Sequence, residues 1–211
     1  MIDHIKWLGH DSFRLEGDGK VIYIDPYQLE RDEPKADLIL ITHDHFDHCS
    51  PEDIARVRTP ETAVVTIAAA ASKLPDPVRV VSPGETLTVQ DVALQTVPAY
   101  NVNKFRSPGN PFHPEEAGHV GFIITLAGQR IYHAGDTDRI PAMDSLSVDV
   151  ALLPVSGTYV MTVDEAVKAA AAIQPKVAIP MHVGAGIGSL DYAGKFKEKA
   201  TVPVQILAIE K

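Results

Sequence analysis

The chain has 211 residues, of which 45% are hydrophobic and 22% charged, and its formal net charge is −9. This acidic balance disfavours nucleic acid and anionic membranes as principal partners, and no apolar run approaches the roughly 20 residues that cross a bilayer. The length fits one domain over residues 1–211 or two closely merged halves, and we expect one domain. Because Cys49 is the sole cysteine and no secretory signal is visible, we expect the protein to be located in a reducing cytoplasm.

Short apolar segments rich in β-branched residues predict a series of strands along the chain. Most of them are continuous apolar runs, which is typical of strands covered on both faces. Glycine-containing turns at 17–20 and 127–129 each predict a hairpin. The predicted strands cover residues 22–24, 38–41, 63–67, 78–81, 120–124, 130–132, 150–153 and 177–179.

Helix-start signals lie between these strands. Ser50 is a candidate N-cap that is followed by a proline and by Asp53, the acidic residue that a capping box would use. Thr162 and Glu165 repeat this pattern before an Ala-rich run, and a third helix is predicted over about 190–199. Strands mixed with helices in this order indicate a layered α/β (α+β) fold.

The stretch 99–118 contains several prolines and carries no helix or strand signal. A loop of this length in a compact domain is usually a functional lid or disordered. We therefore expect the specificity of any nearby site to depend on its conformation.

Histidines and aspartates are concentrated in residues 43–48, directly after a predicted strand. His43 and His45 are two residues apart, so their rings leave the same face of an extended segment and can converge on one ion. Asp47 and His48 follow a turn and can reach a second ion beside the first. Imidazole and carboxylate together suit zinc, with manganese and iron as alternatives. The pattern predicts a metal site rather than a solvated capping loop.

Two later strands also end in candidate ligands. Asp136 follows the predicted strand at 130–132, and His182 follows the predicted strand at 177–179. Because α/β folds commonly build their sites at the carboxyl ends of strands, we expect both residues to join the first cluster.

The His-x-His-x-Asp-His pattern at 43–48, Gly-Asp-Thr at 135–137 and His182 together resemble the metallo-β-lactamase superfamily of hydrolases. Within it, further motifs are similar to those of the branch that includes ascorbate-6-phosphate lactonase and the phospholipase D acting on N-acyl-phosphatidylethanolamine. Those motifs lie at 9–13, 24–26, 98–101 and 152–159. The resemblance implies a four-layer αββα sandwich, with the site at one rim.

The resemblance also implies a binuclear metal site. The ligands it implies are His43 and His45 for metal one, Asp47, His48 and His182 for metal two, and Asp136 as the bridge. The third ligand of metal one does not transfer, because related sequences place a histidine about where this chain has Asn101. We prefer His113 over His119, since His119 already begins a strand; Asn101 itself or a vacant position stays open.

Four other residues are predicted substrate contacts: His10, Tyr100, Asn101 and Tyr159. Bonding within a turn is the alternative for His10, and packing is the alternative for the tyrosines. Asp25, at the end of a strand, either orients a ligand imidazole or only shapes a turn.

The implied reaction is hydrolysis of an ester, lactone or phosphodiester in a small molecule. Two divalent ions, with zinc expected, would hold a hydroxide between them for the attack, and Asp47 would orient it and pass on a proton. Asp47 and Asp136 are therefore the predicted catalytic residues. The alternatives are a metal-binding redox or sensor protein, or a non-catalytic binding protein, on the same fold. Formation of a homo-oligomer is left open.

Overall fold

Two six-stranded β-sheets lie at the centre of the structure, a computed structural model that describes residues 2–30, 32–184 and 186–210. In the first sheet the strands follow chain order, with antiparallel pairing from β1 to β3 and parallel pairing from β3 to β6. Its strands are β1 (Ile5–Gly9), β2 (Ser12–Gly17), β3 (Lys20–Ile24), β4 (Leu38–Ile41), β5 (Ala63–Thr66) and β6 (Arg79–Val80).

The second sheet has the order β14-β13-β12-β11-β8-β7. Strands β12, β13 and β14 are parallel to one another, whereas β7, β8, β11 and β12 pair antiparallel. A separate two-stranded hairpin is formed by β9 (Phe105–Ser107) and β10 (Asn110–Pro111). The strands of the second sheet are β7 (Thr86–Val89), β8 (Val92–Pro98), β11 (Val120–Leu126), β12 (Gln129–His133), β13 (Val150–Pro154) and β14 (Val177–Met181).

The α-helices of the described residues are α1 (Pro51–Val57), α2 (Ala68–Ala71), α3 (Val163–Ile173) and α4 (Asp191–Lys199). Thr162 and Glu165 form the predicted capping box at the start of α3. Ser50 caps α1 as predicted, but the carboxylate of Asp53 accepts from the backbone of Gln28 and Leu29 and so ties α1 to the loop after β3. None of the helices in the described ranges is long and apolar enough to cross a membrane.

The two sheets share one apolar core. Its fully buried side chains include Phe13 and Leu40 from the first sheet and Phe122 and Leu152 from the second. Helices α1 and α3 bury their apolar faces against this core, which gives the predicted αββα layering. The segment 201–210 then joins the two sheets, because it bonds to the backbone of β1 and of β14.

The predicted strands are confirmed, although β6 is only two residues long. The hairpin predicted at 17–20 is formed by β2 and β3. Strands β1, β7 and β8 are not among the predicted strands, since they lack a long continuous apolar run. In β8, for example, buried residues alternate with exposed or half-buried ones over most of the strand. The expectation of an irregular stretch at 99–118 is wrong in part, because the β9–β10 hairpin and a short 3-10 helix, Glu115–Ala117, lie within it. The prolines and glycines of this stretch are typical of loops, so no signal in the sequence indicates the hairpin or the 3-10 helix.

Gly121, in the middle of β11, tests the packing between neighbouring strands. A Cβ at this position would lie 2.6 Å from the carbonyl oxygen of His133 and 2.8 Å from that of Ala134. We expect Gly121→Ala to lower the free energy of unfolding by about 1–3 kcal/mol, because backbone atoms must move to admit the methyl group. Urea denaturation measures this change.

Gly194→Ala is the matched control. Gly194 lies in α4 and a Cβ there meets nothing within 4 Å, so alanine should leave stability unchanged or raise it by up to about 1 kcal/mol. An unfolding midpoint of Gly121→Ala equal to that of the parent protein would contradict the packing described here.

Candidate metal centre

The carboxyl ends of the parallel strands from both sheets meet at one rim of the sandwich. Asp25 follows β3 and His43 follows β4 in the first sheet. Asp136, Ser156 and His182 come after β12, β13 and β14 in the second sheet. The side chains that the sequence places at strand ends are therefore brought together by the parallel order of the strands.

Three imidazoles form the first group at this rim. Nδ1 of His45 lies 3.0 Å from Nε2 of His43 and 3.3 Å from Nε2 of His113. His43 and His113 are buried, and His45 is half-buried. Ligand atoms about 2.0–2.1 Å from a tetrahedral ion are themselves about 3.3 Å apart, so these nitrogens could hold one cation between them.

A second group surrounds the carboxylate of Asp136. Its Oδ1 lies 3.4 Å from Nε2 of His48, and its Oδ2 lies 3.4 Å from Nε2 of His182. The same Oδ2 is 3.3 Å from Nε2 of His113, a member of the first group. Asp136 thus reaches the nitrogens of both groups, as expected of a bridging residue.

Asp11 and His10 add a carboxylate and an imidazole to the second group. Their polar atoms lie within 4.8 Å of those of His48 and His182, a spacing that could hold a cation. Sequence reasoning missed Asp11, because it lies alone in the turn between β1 and β2 with no histidine pattern of its own. Its occurrence beside His10 in the motif at 9–13 was the available signal.

The far nitrogens of the clustered imidazoles are fixed by partners in the protein. Nδ1 of His48 donates to Oδ2 of Asp25 at 2.8 Å, so the predicted contact of Asp25 with an imidazole is confirmed. Nδ1 of His182 lies 2.8 Å from Oγ of Ser156. These contacts leave Nε2 of each ring pointing to the centre and set the ring orientation.

Asn101 has the same relation to His113. Its Oδ1 accepts from the backbone N–H of His113 at 2.9 Å and lies 3.0 Å from Nδ1 of the ring. Its Nδ2 donates to the carbonyl oxygen of Tyr159 at 2.8 Å. Both ends of the amide are used within the protein, which favours a positioning role for Asn101 over direct contact with an ion or substrate.

Of the histidines considered for the last place beside His43 and His45, His113 is the one whose ring nitrogen lies with theirs. His119 is buried behind the group, with its ring centroid 4.9 Å from that of His43 and its Nε2 3.9 Å from Asp44. Burial lowers the pKa of His119 to about 4, so this imidazole is neutral at physiological pH.

Three residues at the centre have left-handed backbones although none is glycine. The φ angles are 51° for His10, 46° for Asp25 and 59° for His182. Such conformations cost energy and persist only where the surroundings hold them. Here the backbone N–H of His182 donates to the carbonyl oxygen of His10 at 3.2 Å, linking the rims of the two sheets.

Burial and neighbouring charges set the protonation of the centre. Burial lowers the pKa of His43 well below its usual value, which leaves a neutral ring able to bind a cation. Burial alone would raise the pKa of Asp136, but the His182 and His48 imidazoles outweigh it and hold that pKa well below the usual range. Asp136 is therefore an anion at neutral pH.

Several buried polar atoms at the centre have no hydrogen-bond partner among the described residues. They are Nε2 of His48, Oδ1 of Asp136, Nδ1 of His10 and both carboxylate oxygens of Asp11. Burying such atoms unpaired is costly, so their concentration in one place needs a compensating group. A divalent metal ion could be this group, because imidazoles and carboxylates are its usual ligands.

A cavity of about 510 Å³ opens onto the two groups. Tyr159, a predicted substrate contact, lines this cavity, and so does Phe46, which is 72% exposed. Tyr100 does not line this cavity, and His10 lies buried behind Asp47. The described residues lining it are His45, Phe46, Asp47, Arg106, His113, Asp136, Tyr159 and Ile187.

Residues 4–182 match the family described as the β-lactamase superfamily domain. The chain is 35% identical over 195 residues to a UPF0173 metal-dependent hydrolase of Thermoplasma acidophilum, covering 84% of this chain and 82% of that protein. A crystal structure from Parabacteroides distasonis, described as a metal-dependent hydrolase, has a TM-score of 0.85 and 34% identity, covering 98% of this chain and 93% of that one. The metallo hydrolase Igni18 of Ignicoccus hospitalis has a TM-score of 0.77 and 25% identity, with 98% and 95% covered.

The two-sheet sandwich, with its potential metal ligands at one rim, is thus a metallo-β-lactamase fold, as the resemblance in sequence implied. The chain belongs to the β-lactamase superfamily, and within it the chain is a metal-dependent hydrolase.

Asp25 offers a test of how the centre is oriented. We expect Asp25→Asn to weaken binding of Zn²⁺ or Mn²⁺ by about 10–100-fold, because Nδ1 of His48 loses its charged acceptor. Competition with a chromogenic chelator measures the affinity.

Asp37→Asn is the control, since Oδ2 of Asp37 accepts from the backbone N–H of Val21 at 2.8 Å at the opposite end of β3. It removes a comparable carboxylate and should leave metal affinity unchanged. Equal affinities in the two variants would show that Asp25 does not act through His48.

Proposed function

We propose that this chain hydrolyses an ester, lactone or phosphodiester bond in a small molecule, with two divalent metal ions bound at the centre. The observation that carries the proposal is the position of Asp136, within 3.4 Å of imidazole nitrogens from both groups. The proposed ligands are His43, His45 and His113 for the first ion, Asp47, His48 and His182 for the second, and Asp136 for both.

The donor set bears on the metal. Imidazoles dominate the first group, which favours zinc, and manganese or iron(II) are the alternatives where carboxylates join. Bound divalent ions supply Lewis acidity and lower the pKa of water from about 15.7 toward 7.

Asp47 is the proposed base. Its carboxylate lines the cavity, and Nε2 of His10 donates to its Oδ2 at 3.2 Å. Burial alone would raise the pKa of Asp47, but the hydrogen bond from His10 and the charge of His48 hold it below its usual value. An ionised Asp47 can orient a water molecule, take its proton and pass that proton to the leaving group.

The residues that line the cavity indicate the polarity and charge of the substrate. Phe46, Tyr159 and Ile187 offer apolar surface, and Arg106 is the cation among the described lining residues. Its guanidinium stacks on Phe112, with Cζ 5.0 Å from the ring centroid, so the charge is held at the mouth of the cavity. A small amphipathic molecule with an anionic group suits this wall, and the lactones and phosphodiesters of the branch that the motifs resemble include such molecules.

We further propose that residues 1–211 form one domain, because both sheets supply residues of the centre. The proposed substrate is a small molecule of the cytoplasm, with no role for nucleic acid or a membrane. The acidic net charge of −9 supports the exclusion of nucleic acid.

Elemental analysis tests the ligand set. We expect two equivalents of metal per chain after reconstitution, and a fall toward one in His113→Ala, because the first ion loses one of three imidazoles. His119→Ala removes an equally buried ring that lies outside the group and should keep two equivalents. Two equivalents in both variants would remove His113 from the site, and none in the parent protein would refute the metal proposal.

Turnover tests the reaction. A panel of lactones, phosphodiesters and carboxylic esters is assayed with the Zn²⁺- and Mn²⁺-loaded protein, and kcat/KM is compared across variants. For every accepted substrate we expect Asp47→Ala to lower kcat/KM by at least about 100-fold, the range of a lost acid–base group. Asp136→Ala should lower it at least as much, because both ions lose a shared ligand. Asp164→Ala, on the exposed start of α3, is the control. Unchanged turnover in the first two variants would overturn the proposed roles.

A further inference from the structure

Asp11 is a buried carboxylate without a hydrogen-bond donor. The residue lies in the turn between β1 and β2 and is 0% exposed. Neither of its two carboxylate oxygens has a hydrogen-bond partner among the described residues. A carboxylate in such a place is expensive unless a positive charge compensates for it.

Three imidazole nitrogens face this carboxylate. Oδ2 of Asp11 lies 3.7 Å from Nε2 of His48, 3.7 Å from Nε2 of His10 and 3.9 Å from Nε2 of His182. These separations are too long for hydrogen bonds, which rarely exceed about 3.2 Å. For His48 and His182 they suit atoms that share one ion at about 2.0–2.2 Å, because neighbouring ligands of an ion are separated by well over 3 Å. Nε2 of His10 instead donates to Asp47.

The backbone of Asp11 is fixed so that the carboxylate stays in place. Its carbonyl oxygen lies 2.9 Å from Nε2 of the buried His133, whose Nδ1 accepts from the N–H of Gly135 at 3.2 Å. His133 can therefore only donate to Asp11, and it links the β1–β2 turn to the loop that carries Asp136. The main chain is held by this contact, while the side chain is left free to bind a ligand.

We propose that Asp11 is a ligand of the second metal ion, an inference that rests on the metal-dependent function proposed above. The second ion would then be held by the carboxylates of Asp11, Asp47 and Asp136 and the imidazoles of His48 and His182, whereas the first would be held by three imidazoles and the shared Asp136. Additional oxygen ligands suit manganese and iron(II) better than a mostly imidazole set does. The two positions therefore differ in metal preference, with zinc favoured at the first and a harder ion at the second.

The experiment compares Asp11→Asn with Ser12→Ala, a neighbouring buried change outside the centre. Each protein is stripped with a chelator and titrated with Mn²⁺ and with Zn²⁺ by calorimetry, and thermal melting is followed before and after loading. In Asp11→Asn we expect the second site to lose at least about tenfold in Mn²⁺ affinity, while the affinity of the first site is unchanged. Ser12→Ala should bind like the parent protein.

The melting temperatures give a second readout, because loss of a purely structural contact of Asp11 would lower them by the same amount before and after loading. After loading, the parent protein should gain more stability than the variant.

The possible results separate this inference from the proposed function. Two sites of unchanged affinity in Asp11→Asn would overturn the assignment of Asp11 and leave the hydrolase intact. An equal gain in melting temperature on loading in Asp11→Asn and in the parent protein would mark Asp11 as a structural residue, and the assignment would also be wrong. No metal binding by the parent protein would refute both.

Discussion

The buried carboxylate of Asp136 lies between imidazoles from different parts of the fold, and the metal centre is arranged around it. His48 follows β4 of the first sheet, His182 follows β14 of the second, and His113 comes from the segment 99–118. A buried anion is tolerated only with compensating charge nearby, so the loops that carry these histidines must end at one point. The fold meets this demand by placing the carboxyl ends of two sets of parallel strands on the same rim.

The loops can come this close because one position between them lacks a side chain. Gly135 has a φ of +64°, and a Cβ there would lie 3.1 Å from the carbonyl oxygen of Val120 and 3.2 Å from Thr42. Thr42 itself donates through its N–H and its hydroxyl to Asp25. The same few residues thus join β4, β11 and the Asp136 loop, and they also set the orientation of His48 through Asp25.

The sequence was sufficient for the parts of the centre that are local in the chain. Residues 43–48 carry their ligand spacing within one loop, and Asp136 and His182 each follow a strand that is apolar enough to be recognised. Asp11 could not be found this way, because two of the three imidazoles that face it, those of His48 and His182, come from distant segments of the chain. The preference for His113 over His119 rests only on His119 beginning a strand. The contact by which Asn101 fixes the His113 ring spans twelve positions and leaves no periodic signal in the sequence.

The conformation of the segment 99–118 is set by contacts with distant residues, so its prolines alone could not predict it. Lys104 makes ion pairs with Asp138 at 3.0 Å and with Glu165 at 2.8 Å, and Asp138 also accepts from the N–H groups of Val102 and Asn103. These are long-range contacts that hold the segment against the start of α3. They give His113 a fixed place on a stretch that has little regular structure of its own.

The segment 201–210 covers backbone groups of two outer strands that could otherwise pair with another copy of the chain. The N–H of Glu210 donates to the carbonyl oxygen of Trp7 in β1, and the N–H of Gln205 donates to that of Ala178 in β14. Both strands are outer strands of their sheets, and outer strands with free backbone groups are where chains add to one another and aggregate. One short stretch of chain therefore shields an outer strand of each sheet at once. The opposite borders are β6, which at two residues is too short to serve as a template for another chain, and β7, which alternates exposed and half-buried side chains.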